Sequence, residues 1–410
     1  MTVPDAVPEG GIQAWTQVLC SWIILADSWG VVNSFGVYQT YYESQLLPNS
    51  TSSAISWIGS LQGALLLMFA PISGSLYDAG YFRTLLLTGI FLILLGQFMT
   101  SIATTYWQIL LSQGLCIGLG CGLVYVPSTA ILSQYFQRRR AFVIGIASTG
   151  SPIVGIIIPV IFGKIQPVLG FGWATRIIGF ILLVISTVPA AFMHPRMKSS
   201  PKARAIIDTT AARDLPFCLV MVGSFFVFLT LYIPFFYIQL FAIRNEIIAH
   251  GGSSFYILTL LNAGSIPGRV APNYFADKFG AMEMQTFVTA ISALLMFVWL
   301  AVSNLGGLIT FAILYGLFSG GVVSISACMI MALSPDPEKI GTRMGMVFFT
   351  AGVAVLVGNP IAGAILGSEG EPRWQATIAY GAASMTLGVS IYTAAVIALR
   401  KTRRETQNVP

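Results

Sequence analysis

Twelve long apolar runs, separated by short polar segments, make up most of this 410-residue chain. A helix needs ~20 apolar residues to cross the hydrocarbon core of a bilayer. Runs of that order fall at 13–39, 54–77, 84–104, 106–132, 141–163, 171–193, 215–241, 253–275, 283–303, 306–332, 343–366 and 374–399. Each predicts a transmembrane α-helix. The only long connection is 194–214, which carries Pro195, Pro201 and a basic excess and divides the helices six and six. The expected architecture is an all-α membrane protein of two pseudo-symmetric six-helix halves: a tail over 1–12, a bundle over 13–193, a linker over 194–214, a second bundle over 215–399 and a tail over 400–410. The halves echo each other. Asp78 and Asp277 lie 199 residues apart, each between two apolar runs, and the pairs Pro159/Pro360 and Trp173/Trp374 are both 201 apart.

Composition narrows the class. Charged residues are 9 % of the chain and apolar ones 56 %, with mean hydropathy +0.80. A soluble protein carries about 25 % charged residues, so this chain cannot cover a water-facing surface. The net charge of +6 does not point to nucleic acid, because the basic residues sit between apolar runs, as membrane topology requires. With the N-terminus cytoplasmic, 16 of the 21 lysines and arginines fall in inner loops and tails, which puts both termini inside. No secretory signal peptide is expected, since the first eleven residues are polar and acidic. The five cysteines all lie in apolar runs without metal-ligand spacing and are expected as reduced thiols. Asn49-Ser50-Thr51 is a glycosylation sequon in the polar run 42–52, expected to face outward.

Tandem six-helix halves related by an axis along the membrane normal are the organisation of the major facilitator superfamily. The segment Gly74-Ser-Leu-Tyr-Asp78-Ala-Gly80-Tyr-Phe-Arg83 resembles that superfamily's signature between helices two and three. It departs from the signature in having Ala79 for the usual basic residue and its glycine one position early. A narrower resemblance is to the monocarboxylate-transporter-like branch in its fungal form. It rests on Glu9-Gly10-Gly11 with Trp15, on Asn33 through Tyr38-Gln39 with Tyr41-Tyr42, on Ile55-Ser-Trp57 through Gln62, and on Tyr135-Phe136. The resemblance implies that Asp78, with Arg83 and the repeat-related Asp277, locks the cytoplasmic gate, with Asp78 against the start of helix eleven. A helix N-terminus favours an anion there.

Ionisable residues inside a membrane segment are costly and mark cavities or partners. Three stand out: Asp27, Arg176 and Arg269. Arg269 follows Asn262 by seven residues, about 20° short of two full turns, so both project from one face with Ser265 beside them. That stripe is expected to line the central cavity and bind substrate, and the resemblance adds Asn33 of helix one to the binding residues. Related lactate–proton symporters pair this arginine with an aspartate one turn earlier, where this chain has Ser265, and place a lysine where it has Asn33. The resemblance therefore implies a bulkier or less charged substrate than lactate. Asp27 is the candidate proton carrier, and Arg176, just behind Trp173, is expected to snorkel to the outer interface.

Two histidines in loops and no nucleophile–base or ligand cluster leave an enzyme without machinery, and no phosphate-binding loop supports an ATP-driven pump. The expected function is secondary transport of a small organic molecule by alternating access. The cargo class expected is a carboxylate-bearing or polar metabolite, including fungal secondary-metabolite export, linked to protons and needing no cofactor or metal. Facilitated uptake of a monocarboxylate or riboflavin-like nutrient, or a non-transporting sensor, are the alternatives. The expected setting is the plasma membrane, with the lipid bilayer as partner and a monomer as the working unit.

Overall fold

A computed structural model describes residues 9–196, 207–248, 254–334, 340–367 and 371–407. Among these there are twelve long helices and no strand. They are α1 (Ile12–Leu46), α2 (Ser52–Asp78), α3 (Phe82–Thr100), α4 (Tyr106–Tyr135), α5 (140–169), α6 (171–192), α7 (Leu215–Arg244), α8 (Phe255–Phe279), α9 (Ala281–Trp299), α10 (Leu305–Ala332), α11 (Ile340–Leu366) and α12 (Trp374–Gln407).

Length and hydropathy alone pick out ten spans. One of them, Phe142–Phe192, is 51 residues long and contains two helices. Gly170, at φ 80°, separates them, a left-handed conformation that only glycine takes without strain. The twelfth helix, α8, falls short of a membrane hydropathy because it carries Asn262, Ser265, Arg269 and Asn273 together with Pro267 and Pro272.

The helices overrun some sequence boundaries. The polar run from residue 42 was expected as a loop, yet α1 continues through it to Leu46. Its aromatic residues explain the extension. Tyr41 stacks on Phe171 with ring centroids 5.2 Å apart, and the Tyr42 hydroxyl donates to Gln113 Oε1 at 2.6 Å. At the other end of the chain α12 runs on past 399, and Arg400 pairs with Glu283 at 3.1 Å.

Burial sorts the helices into an inner and an outer set. The apolar window of α1 is 89 % buried and that of α12 only 33 %. Leu87, Phe91 and Leu95 of α3 and Phe287, Leu294 and Phe297 of α9 are exposed large hydrophobics. Such a surface suits hydrocarbon, where a soluble fold would present charge.

The N-terminal segment is tied to the bundle at one end. The Glu9 backbone N–H donates to the Tyr135 carbonyl at 3.1 Å, and its carboxylate accepts the N–H groups of Gln137 and Arg138 at 2.9 and 2.7 Å. Those donors, Arg138 first, hold the Glu9 carboxyl below the usual carboxylate range. At the same end a cavity of about 480 Å³ penetrates between the halves.

At the opposite end the halves are shut. Gly36 of α1 approaches the Phe235 carbonyl of α7 so closely that a Cβ would collide with backbone. On the flank α2 meets α11, where Ser53 Oγ donates to the Pro360 carbonyl at 2.8 Å. The molecule is therefore open at the end that holds Glu9 and Arg400 and closed at the other.

Candidate functional site

The cavity runs from a mouth at helix ends to a deep apex. Asp78 of α2, Gln134 of α4, Arg140 of α5, Met331 of α10 and Ile340 of α11 surround the mouth, and Trp29, Tyr125 and Arg269 line the apex. The size is that of a cleft for a drug-sized organic molecule. Phe348 and Met344 add apolar wall.

Arg269 is 4 % exposed, and its Nε makes no hydrogen bond among the described residues. The Tyr125 and Tyr232 hydroxyl groups lie within electrostatic range of the guanidinium. A buried cation held by neutral groups rather than by a carboxylate is free to accept an anion from elsewhere. This is the chemistry the site offers: a paired-hydrogen-bond anchor in a low-dielectric, aromatic-walled pocket.

Above the apex, toward the closed end, α1 and α7 meet in three layers. Trp29 stacks on Tyr232 with centroids 5.8 Å apart and planes 12° from parallel. Next, Phe35 packs on Phe236 at 4.8 Å. Last, Arg244 bonds Glu43 at 2.9 Å.

The stripe on α8 is not gathered around the cavity. Of Asn262, Ser265 and Arg269, only Arg269 lines it. Asn262 is two turns nearer the closed end, packed over Gly155 of α5, with Nδ2 donating to the Leu258 carbonyl at 3.0 Å. Ser265 packs against Gly320 of α10 and donates to the Asn262 carbonyl at 2.9 Å. Asn33 is buried in α1, off the cavity, with both amide atoms unpartnered.

Asp27 also lies away from the cavity. It is 1 % exposed in a π-helical turn, Ala26–Gly30, and accepts a hydrogen bond from Ser186 Oγ of α6 at 2.6 Å. Its second oxygen has no partner among the described residues. Arg176 sits over Trp173 at 5.2 Å and donates to Ser101 Oγ.

Asp78 stands at the mouth, and Ile340, Gly341 and Thr342 of the first turn of α11 line the same mouth. Arg83 is exposed at the start of α3. Asp277 is in the last turns of α8, and its side chain lies outside the described residues. Asn49 is in an exposed turn between α1 and α2, at the closed end. Among the described residues no cluster of three metal-ligating side chains occurs, and the five cysteines are free thiols.

Sequence reasoning missed the aromatic residues of the apex. Trp29, Tyr125 and Tyr232 read as ordinary members of apolar runs. The available signal was that Trp29 and Tyr232 are separated by nearly the repeat offset, so the two halves bring them face to face.

A twelve-helix bundle in two halves, with a central cavity open to one side and a buried unpaired cation at its apex, defines a secondary transporter of the alternating-access class. The model of the Major Facilitator Superfamily matches residues 18–305 and 257–410, and the chain belongs to that family. It is 41 % identical over 373 residues to the MFS-type transporter dbaD of Emericella nidulans, covering 91 % of this chain and 84 % of that protein. The aspyridones efflux protein apdF of the same fungus is 34 % identical, with 89 % and 74 % covered. The fujikurins efflux protein of Gibberella fujikuroi is 35 % identical, with 88 % and 78 % covered. The protein is thus a multi-pass integral membrane transporter of a small molecule.

Proposed function

We propose that this transporter exports an acidic, largely apolar secondary metabolite of a fungus across the plasma membrane, driven by protons. The observation that carries the reading is Arg269, an unpaired guanidinium at the apex of an aromatic cavity large enough for a drug-sized molecule. The names of the relatives support export, since two are efflux proteins for fungal products. The sequence features shared with the monocarboxylate-transporter-like branch support an anionic cargo, and the cavity volume supports one larger than lactate. The basic residues of 138–140 and 400–404 flank the open end, which by the positive-inside rule supports reading that end as cytoplasmic and the captured state as inward-open. Asn49 then faces outward. One chain contains the whole pathway, which supports a monomer.

Asp27 is the proton-responsive group in this reading, acting within the N-terminal half rather than by contact with Arg269. Asn262, Ser265 and Asn33 join the binding surface when the opposite end opens. Asp78, Arg83 and Asp277 hold the cytoplasmic gate when it shuts.

The test is binding and flux of radiolabelled 2-naphthoate, an acidic aromatic probe, in proteoliposomes. A hydrogen bond to a charged group is worth ~1.5–3 kcal/mol, so Arg269→Lys weakens binding about tenfold or more and Arg269→Ala abolishes it. Undiminished binding and flux in Arg269→Ala would overturn the assignment.

A further inference from the structure

The roof of the cavity has properties that a passive aromatic core does not need. Trp29 and Tyr232 are each 2 % exposed, come from opposite halves, and stack nearly parallel. Both sit where their helices are irregular. Trp29 lies in the π-helical turn Ala26–Gly30, and a single π-turn inside an α-helix frequently marks a functional site. Tyr232 lies at the interruption of α7 between Thr230 and Ile233, just ahead of Pro234. Proline there leaves the Thr230 region without a regular ladder, and the Leu231 carbonyl takes its hydrogen bond from the Tyr315 hydroxyl at 2.9 Å.

Three polar atoms at this roof are left over, and each of them can donate. The Trp29 indole Nε1, the Tyr232 hydroxyl and Arg269 Nε are all buried and have no hydrogen-bond partner among the described residues. The Trp29 ring meets the Tyr125 ring edge-on, with centroids 5.9 Å apart. Indole N–H and guanidinium N–H are donors only, and a phenol can donate. Buried polar groups are ordinarily satisfied, and each exception calls for a partner. Beyond its phenol oxygens, what this apex lacks is acceptor oxygen. Aromatic faces and a planar guanidinium also favour a flat acceptor over a globular one.

We propose that Trp29 and Tyr232 form a gate that the cargo itself releases: a planar, conjugated oxyanion on Arg269 (an aromatic carboxylate, phenolate or enolate) accepts hydrogen bonds from both residues and draws the stacked rings apart. This rests on the reading of Arg269 as the anchor. Empty, the stack holds α1 against α7 and hides its unsatisfied donors. Loaded, the donors are satisfied only if the rings turn toward the headgroup. The seal then loosens at the two points where neither helix is regular, and the Phe35–Phe236 layer behind it is free to part. A saturated acid of the same charge lacks the flat face and leaves the stack closed.

The experiment uses the full chain, cysteine-free apart from Phe235→Cys as reporter, in sealed proteoliposomes with the closed end outward. The readout is the rate at which an impermeant maleimide labels residue 235. The parent labels slowly, and 2-naphthoate speeds it while cyclohexylacetate does not. Trp29→Ala, and independently Tyr232→Leu, label about tenfold faster with no ligand, as expected for removing a bias of that size. Tyr232→Phe keeps the ring and stays slow without ligand, but binds 2-naphthoate about fivefold more weakly and is no longer opened by it. Slow labelling in both Trp29→Ala and Tyr232→Leu would overturn the gate. Ligand-driven opening of Tyr232→Phe at the parent's level, equal response to cyclohexylacetate, or failure of the parent to bind 2-naphthoate would overturn the headgroup role. Arg269→Ala separates the two readings: it loses the ligand and keeps the slow unliganded rate. Binding that survives Arg269→Ala removes the anchor and with it the cargo-released step, whereas fast labelling in Trp29→Ala and Tyr232→Leu upholds the seal by itself.

Discussion

Asp27 and Arg269 are both buried and ionisable, yet they occupy different settings. Arg269 faces the cavity, whereas Asp27 is held by Ser186 inside the N-terminal half. A direct ion pair between them is not part of this conformation; in the proton-driven cycle proposed above the link between them is α1, whose π-turn carries both Asp27 and Trp29. If Asp27 is the proton carrier, Asp27→Asn abolishes accumulation of 2-naphthoate driven by a pH gradient and leaves exchange intact. Gradient-driven accumulation persisting in that variant would assign the proton to another group. Arg269 was legible because a charge in an apolar run has few explanations. Asn262 and Ser265 were legible as a face, but not as separate environments. Helical spacing fixes direction around an axis, not depth, and the cavity ends at Arg269 while Asn262 lies two turns beyond it.

At the level of elements, all twelve helices follow from apolar runs, with α8 the weakest of them because its polar stripe lowers its hydropathy. Helix ends were less legible, since aromatic packing carries α1 through a polar stretch. The start of α11 shows another limit. Arg343 places a cation near a helix N-terminus, where the dipole disfavours it. Folding compensates by bringing Asp208 to Nε at 3.1 Å and Asp214 to Nη1 at 2.8 Å, with the Phe217 ring 5.0 Å from the guanidinium carbon. Asp208 and Asp214 come from the stretch leading into α7, more than a hundred residues away in sequence, so no local pattern reveals the cluster. Removing one partner of a buried ion pair costs about 3–5 kcal/mol. Arg343→Ala is therefore expected to lower the unfolding temperature in detergent well below that of the parent. Asp214→Asn is expected to do less, since that side chain is 27 % exposed. Equal unfolding temperatures for Arg343→Ala and the parent would show that the cluster contributes nothing.

For the whole molecule, repeated aspartates, prolines and tryptophans made the two-half plan legible. Which end is shut was not, because closure depends on contacts between residues some two hundred positions apart. The outermost of these is the pair between Glu43 and Arg244, whose arginine side chain is 31 % exposed and whose carboxylate is 3 % exposed. Water reaches the pair through its arginine alone, and even at the ~0.2–1 kcal/mol of an exposed pair that energy bears on the balance between two states of a transporter. Ionic strength on the closed side thereby becomes a control on the resting population, because salt screens charges that water can reach. Raising sodium chloride from 0.05 to 1 M should speed maleimide labelling of Phe235→Cys by a factor of up to about five. In Glu43→Gln the rate should already be raised and should no longer respond. A salt response that survives Glu43→Gln would place the sensitivity elsewhere. On this view the same transporter in brine and in dilute medium would begin its cycle from different populations.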